Sequence, residues 1–236
     1  MKYLFIYLIL VFVIHLWLNT PTYTNVCVQD VPLYFLTTRQ DMDRTNHIYE
    51  EFSDMKLIEI NPVSTEYGIS NRQSASTGFC KMIDLALKNQ PKNKHFEPFI
   101  IMEDDCSKYR KFPKTIEIPK DCDLLYIGVS VFGCIDGCKA GGKPNLYMKR
   151  YNKDLYKIQN MLSMHGIMVC SPAGANLITR CCCESFYKEI TCDVELANSL
   201  HLYNAYALNV PLVYQDINYK GHESATKVEL SNLKNQ

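Results

Sequence analysis

The sequence predicts an α/β protein with a mixed, mostly parallel sheet flanked by helices, and three observations carry that reading. Strand-like apolar runs alternate with runs of helical spacing, in the order that builds βαβ units. One apolar run, Phe99 to Met102, passes directly into three carboxylates, Glu103, Asp104 and Asp105. Adjacent acids resist burial unless positive charge meets them, and ligands of open α/β sheets gather beyond the carboxyl ends of the strands. The three acids fall at that place.

The elements follow in order. PLYFLTT (32–38) and KLIEINP (56–62) read as strands, the second stopped by Pro62. In STGFCKMIDLALKN (76–89), Phe79, Met82, Ile83, Ala86 and Leu87 share a helical face, with Ser76 or Thr77 as the cap. FIIMEDD is the next strand and DLLYIGVS (123–130) another. Residues 133–160, rich in Gly and Lys, read as a long functional loop. HGIMVCSPAGANLIT (165–179) gives a strand, then Ser171 as N-cap, Pro172 as first helical residue and a helix. A helix follows over 193–202, ALNVPLVYQ (207–215) closes as a strand, and the tail after 225 reads as frayed.

The length of 236 residues suits one sizeable core rather than two domains. Lys plus Arg and Asp plus Glu both number 25, spread along the chain, which excludes a general nucleic-acid binder. Residues 3–18, YLFIYLILVFVIHLWL, approach the roughly 20 apolar residues that span a bilayer. They read as a signal anchor, or alternatively a cleaved signal peptide, with Lys2 favouring a cytoplasmic N-terminus and the rest on the far side or in the secretory pathway. The organisation is therefore 1–22 anchor or signal, 23–31 linker, 32–225 main domain and 226–236 tail.

Eleven cysteines permit disulfides in an oxidising compartment, and the odd count leaves one thiol free or bonded to another chain. Neither Cys134-x-x-x-Cys138 nor Cys181-Cys182-Cys183 has zinc spacing. Cys181 and Cys182 fall on a helix with Ile178 and Phe186, as core residues. No Asn-x-Ser/Thr sequon is present.

Oxygen ligands select a hard ion, so the acids point to Mn²⁺ or Mg²⁺, whose shell substrate phosphates complete. The alternative is a solvated acidic turn partnered by Lys108 and Arg110. No Walker-type phosphate loop exists here, which ranks other metal-dependent phosphotransferases or hydrolases lower.

A series of short motifs then recurs in order: Leu36-Thr37-Thr38-Arg39 with Asp43-Arg44, Glu103-Asp104-Asp105 after its strand, Asp123 to Gly128, Gly166 to Ser171 with Gly174-Ala175, Asp193, Pro211 to Gln215, and Ser224. In these the chain resembles glycosyltransferase family 25, the lipooligosaccharide and collagen-type sugar transferases of the GT-A (Rossmann-like) fold. It departs at Gly78-Phe79-Cys80-Lys81-Met82-Ile83, where the family often has Gly-Cys-x-x-Ser-His. The resemblance implies inverting transfer from a nucleotide sugar, a UDP-sugar, to a hydroxyl of a glycan, lipid or protein. It makes Asp105 the direct metal ligand, with Glu103 or Asp104 reaching the donor ribose or metal-bound water. His222, late in the chain, or His165 completes the metal shell. Arg39 and Arg44, with Thr37 and Thr38, receive the nucleotide. Asp193 is the general base, with Glu195 second, although Asp193 also suits a helix N-cap. A GT-A module that binds without turnover is the other reading.

Overall fold

The computed structural model describes Tyr7, Val11 and residues 22–38, 42–92, 95–134 and 145–233. Most of the apolar segment 3–18, Arg39 and Cys138 lie outside the described residues. Among the described residues no helix is long and apolar enough to cross a membrane.

The centre of the fold is β4 (Phe99–Glu103). Phe99, Ile100, Ile101 and Met102 are at most 1% exposed, so this strand is covered on both faces. Side chains alternate across a strand, and here the alternation divides the core in two. Phe99 and Ile101 join a cluster with Tyr34, Phe79, Met82 and Ile178, whereas Ile100 and Met102 join Phe35, Ile48 and Phe52. Helix α1 (Met42–Glu51) covers the second face. Helices α2 (Asn71–Lys88), α3 (Pro172–Lys188) and α4 (Cys192–Ser199) cover the first.

Strands β2 (Leu33–Leu36) and β3 (Leu57–Ile60) sit where the sequence places them, with β2 parallel to both β3 and β4. On the other side of β4 comes β10 (Ile167–Val169), antiparallel both to β4 and to β7 (Leu124–Tyr126). Beyond β7 lies β11 (Ala205–Leu208), parallel to it. The order ends with β9 (Leu155–Ile158) and β8 (Met148–Arg150), each antiparallel to its neighbour. The eight-stranded sheet is therefore mixed, with β10 and β9 running against the rest.

Several boundaries differ from the sequence reading for identifiable reasons. Residues 133–160 are no simple loop, since β8 and β9 extend the sheet edge. Both are short, and Lys149 and Arg150 face solvent, so no apolar period announces β8. The linker contains β1 (Tyr23–Cys27), paired with β6 (Thr115–Pro119). The run 207–215 splits around Pro211. Its second half, β12 (Val213–Gln215), leaves the main sheet to pair with β5 (Cys106–Lys108). The tail is packed through Leu230, which is fully buried and donates its N–H to the Asn209 carbonyl.

Helix α2 starts earlier than the cap expected at Ser76 or Thr77. Ser70 and Gln73 form a capping box, with side chain and backbone exchanging bonds of 3.2 and 3.0 Å. Helix α3 starts as expected, with Ser171 Oγ accepting from the Gly174 N–H at 3.0 Å and also donating to Asp123 Oδ1 at 2.6 Å. That second bond seats the helix on the start of β7. Gly174 is required there, because an added Cβ would stand 2.3 Å from the Asp123 carbonyl oxygen.

Helical glycine to alanine ordinarily stabilises by about 1 kcal/mol. At Gly174 the backbone contact reverses the sign. Gly174→Ala is expected to destabilise by roughly 1–3 kcal/mol, read as a thermal midpoint lower by several degrees. A midpoint equal to or above wild type refutes this seating of α3.

Candidate functional site

Because β2, β3 and β4 are parallel and adjacent, their carboxyl ends open on one edge. A cleft of about 460 Å³ lies there, within the range of small-molecule sites. Its walls are Leu36, Thr37 and Thr38 after β2, residues 61–65 after β3, and Asn71, Ser74 and Ala75 at the start of α2. Arg44 of α1 and Glu103, Asp104 and Asp105 complete it.

The structure thus brings together Thr37, Thr38, Arg44 and the three acids. Thr38 is exposed, whereas Thr37 is buried with its hydroxyl on that of Thr45 at 2.7 Å. Arg44 pairs with Asp104, Nη1 to Oδ1 at 2.9 Å, and its Nη2 donates to the Tyr219 carbonyl. Tyr219 in turn stacks on the His47 ring, centroids 4.1 Å apart. His47 Nε2 lies 3.0 Å from the Cys106 carbonyl and 2.9 Å from Ser107 Oγ.

The pairing of β12 with β5 places Gln215 opposite Cys106. From there the Gln215 amide donates to Glu103 Oε2 at 3.2 Å and to Asp105 Oδ2 at 3.1 Å. The next residue, Asp216, donates its N–H to the Asp105 carbonyl at 2.7 Å and accepts from Ser107 Oγ at 2.8 Å. The acidic turn is clamped from α1 on one side and from residues 215–219 on the other.

These partners do not neutralise it. Burial, first, pushes Glu103 well above the usual carboxylate range, and the charges of Asp105, Asp193, Asp104 and Cys192 add to that. Burial likewise raises Asp105 to about 6, against the downward pull of Arg44 and with a further push from Asp104. The acids therefore form an oxygen-only set short of positive charge, with an amide N–H₂ between two of them. That donor set fits a divalent cation of the hard class. Among the described residues, no group of three or more His, Cys, Asp or Glu side chains is arranged as a ready-made metal shell. Oxygens from a ligand would have to supply the rest.

The remaining candidates divide. Asp193 is half-buried on α4, close enough to raise Glu103, although it does not line the cleft. It is not the N-cap, because Thr191 holds that position. Glu195 points elsewhere: it is buried and ion-paired to Lys188 at 2.7 Å. His165 is also buried, its Nδ1 2.9 Å from Ser163 Oγ and its Nε2–Cδ2 edge against Gly128, where an added Cβ would meet it at 2.6 and 2.4 Å. Burial, with His222 nearby, brings the His165 imidazole down to about 3. His222 itself is exposed at the start of the short helix α5 (Glu223–Thr226).

Sequence reasoning missed Asn61, Ser64, Thr65, Asn71 and Ser74. The signal was available: they follow the second parallel strand, where ligands are expected. It also missed Asp216, whose role depends on the β12–β5 pairing.

No protein-family model matches the chain, and no curated protein matches it. Among solved structures it is similar to the CTP:phosphocholine cytidylyltransferase of Streptococcus pneumoniae, at 9% identity and a TM-score of 0.40 over 81% of this chain and 75% of that one. A similarity of that size leaves function to the residues themselves.

The raised acids have a consequence for stability. The folded chain holds the Asp105 proton with a pKa of about 6, against an ordinary value of 3.8. This contribution is full below the unfolded value and is lost as pH rises through the folded one. Glu103 acts in the same direction. Asp105→Asn in metal-free protein is expected to stabilise by on the order of 1–3 kcal/mol at pH 7.5 and to be near neutral at pH 4. Calorimetry across that range checks it, and a destabilised variant at pH 7.5 contradicts it.

Proposed function

We propose that the chain is a metal-dependent glycosyltransferase of the family 25 type on a GT-A fold, moving a sugar from a nucleotide-sugar donor, a UDP-sugar, to a hydroxyl acceptor on a glycan, lipid or protein. The observation that supports this best is the placement of Glu103, Asp104 and Asp105 on the wall of a small-molecule cleft at the ends of three parallel strands. An acidic cleft repels a bare diphosphate, and a divalent ion makes the two compatible. Mn²⁺ or Mg²⁺ would be held by Asp105 and Glu103 and would supply stabilisation of the charge growing on the leaving diphosphate; His222, exposed just before α5, forms no three-ligand group with them. His165 suits that task poorly, since its ring is closed in against Gly128.

The neutral polar wall, Thr37, Thr38, Asn61, Ser64 and Thr65, suits ribose and base. Arg44 holds Asp104 in place and presents a guanidinium at the cleft for phosphate or base. Arg39 would act with it. Inverting transfer requires a base for the acceptor hydroxyl proton. Asp193 fits best, being near Glu103, while Glu195 is committed to Lys188. The apolar segment 3–18 would anchor this domain to a membrane, and the disulfide-bonded state of Cys134 suits an oxidising far side.

The test is hydrolysis and transfer with a panel of nucleotide sugars, using the whole chain in detergent. Turnover is expected with Mn²⁺ and absent in excess chelator, and Asp105→Asn is expected to abolish it while remaining folded. Full activity in chelator overturns the reading, and donor binding without turnover under every condition leaves a binding module. Asp193→Asn is expected to keep donor affinity and lower transfer by roughly 10²-fold or more. Its thermal midpoint is expected to change little, because the cap is Thr191. Normal transfer by this variant removes Asp193 from the reaction.

A further inference from the structure

Away from the cleft, three helices bring a set of thiols and hydroxyls together in the core. Helix α2 supplies Ser76 and Cys80, α3 supplies Cys182, Cys183 and Ser185, and α4 begins with Cys192. Cys192 Sγ lies 3.0 Å from Cys182 Sγ, 3.1 Å from Ser185 Oγ and 3.2 Å from Ser76 Oγ. The two hydroxyls are themselves 2.9 Å apart. Cys182 is fully buried and Cys192 6% exposed, whereas Cys80 is half-buried and Cys183 exposed.

Packing alone asks only for apolar atoms between these helices. Here two sulfurs stand about 1 Å from the roughly 2.05 Å of a disulfide bond. From the geometry of this cluster we propose that Cys182 and Cys192 are a redox modification site, oxidised by a small-molecule disulfide of the glutathione class that gains access through Cys80. Cys192 is the residue before Asp193, and its charge is felt by Glu103. The bond therefore ties the start of α4, with Asp193, to α3 beside the acidic turn. This last consequence rests on the proposed function; the bond itself does not.

The exchange balances in three steps. Cys80 thiolate attacks glutathione disulfide, forming a mixed disulfide and releasing one glutathione. Cys182, whose hydrogen bonds to Cys192 and Cys80 and burial hold its thiol well above the ordinary range, attacks the Cys80 sulfur as its proton passes to the departing second glutathione. Cys192 thiolate attacks the Cys182 sulfur, forming the Cys182–Cys192 bond and returning Cys80 as thiolate. Two protein thiols lose two protons and two electrons, and glutathione disulfide becomes two thiols. Hydrogen bonding from Cys182, opposed by burial and aided by Cys183, brings Cys80 down to about 7. That makes a thiolate available near neutral pH at the most accessible end of the path.

Reduced whole chain is equilibrated in glutathione redox buffers at pH 7.5, quenched by alkylation and mapped without reductant. Fragment mass spectrometry then assigns the cross-link among Cys181, Cys182 and Cys183. A Cys182–Cys192 bond is expected, with a thermal midpoint roughly 5 °C higher than the reduced chain. Cys80→Ser is expected to slow its formation about tenfold or more without changing the final product. No cross-link to Cys192 in fully oxidising buffer, or a bond from Cys192 to another cysteine, overturns the proposal, as does an unchanged rate in Cys80→Ser. Sugar transfer is measured on both redox forms. A mapped bond with no transfer in either form counts against the glycosyltransferase reading alone.

Discussion

Repulsion among neighbouring carboxylates at the end of a buried strand is the constraint from which the site follows. Strand β4 is too apolar to lie anywhere but the middle of the sheet, so its carboxyl end delivers Glu103, Asp104 and Asp105 into a poorly solvated edge. Arg44 meets Asp104 from α1, the Gln215 amide spans Glu103 and Asp105, and the Asp216 N–H holds the turn's backbone. Magnitude decides the outcome. At Asp105 the pull of the guanidinium is outweighed by burial, leaving the carboxyl at about 6. The turn is restrained heavily and still short of positive charge.

The framework around that turn was legible in the sequence where physics leaves a strong local signature. β2 and the first four residues of β4 are continuous apolar runs, β3 is an apolar run broken by Glu59, and α3 opens with Ser171-Pro172. The parts that escaped are those whose structure depends on partners far along the chain. β8 is three residues at a solvated edge, and β1 exists through its pairing with β6. The start of α2 was misplaced although Ser70-Asn71-Arg72-Gln73 carries a capping-box pattern, because the apolar face of that helix becomes obvious only later.

The site was legible in the same uneven way. Three consecutive acids after an apolar run are conspicuous, and Arg44 and Thr37 follow a strand that reads clearly. Asn61, Ser64 and Thr65 resemble any polar connection until β3 is known to lie beside β2. Asp193 and Glu195 are a different lesson. Two residues apart on a helix they point about 200° from each other, so one neighbours Glu103 while the other serves Lys188. A helical projection of the sequence separates them.

The clamp on the acidic turn also orders events during synthesis. Arg44 and the Tyr219 carbonyl that it meets are separated by 175 residues, and Gln215 reaches back 112 residues to Glu103. A chain emerging from the ribosome N-terminus first must present β4 with its three carboxylates long before β12 exists to bridge them. Until the final strand appears, that end of the sheet is held by Arg44 without the second jaw. A late-made stretch therefore decides when the acidic turn is fully braced, and a premature stop before Gln215 leaves an assembled cleft whose turn is held from α1 alone.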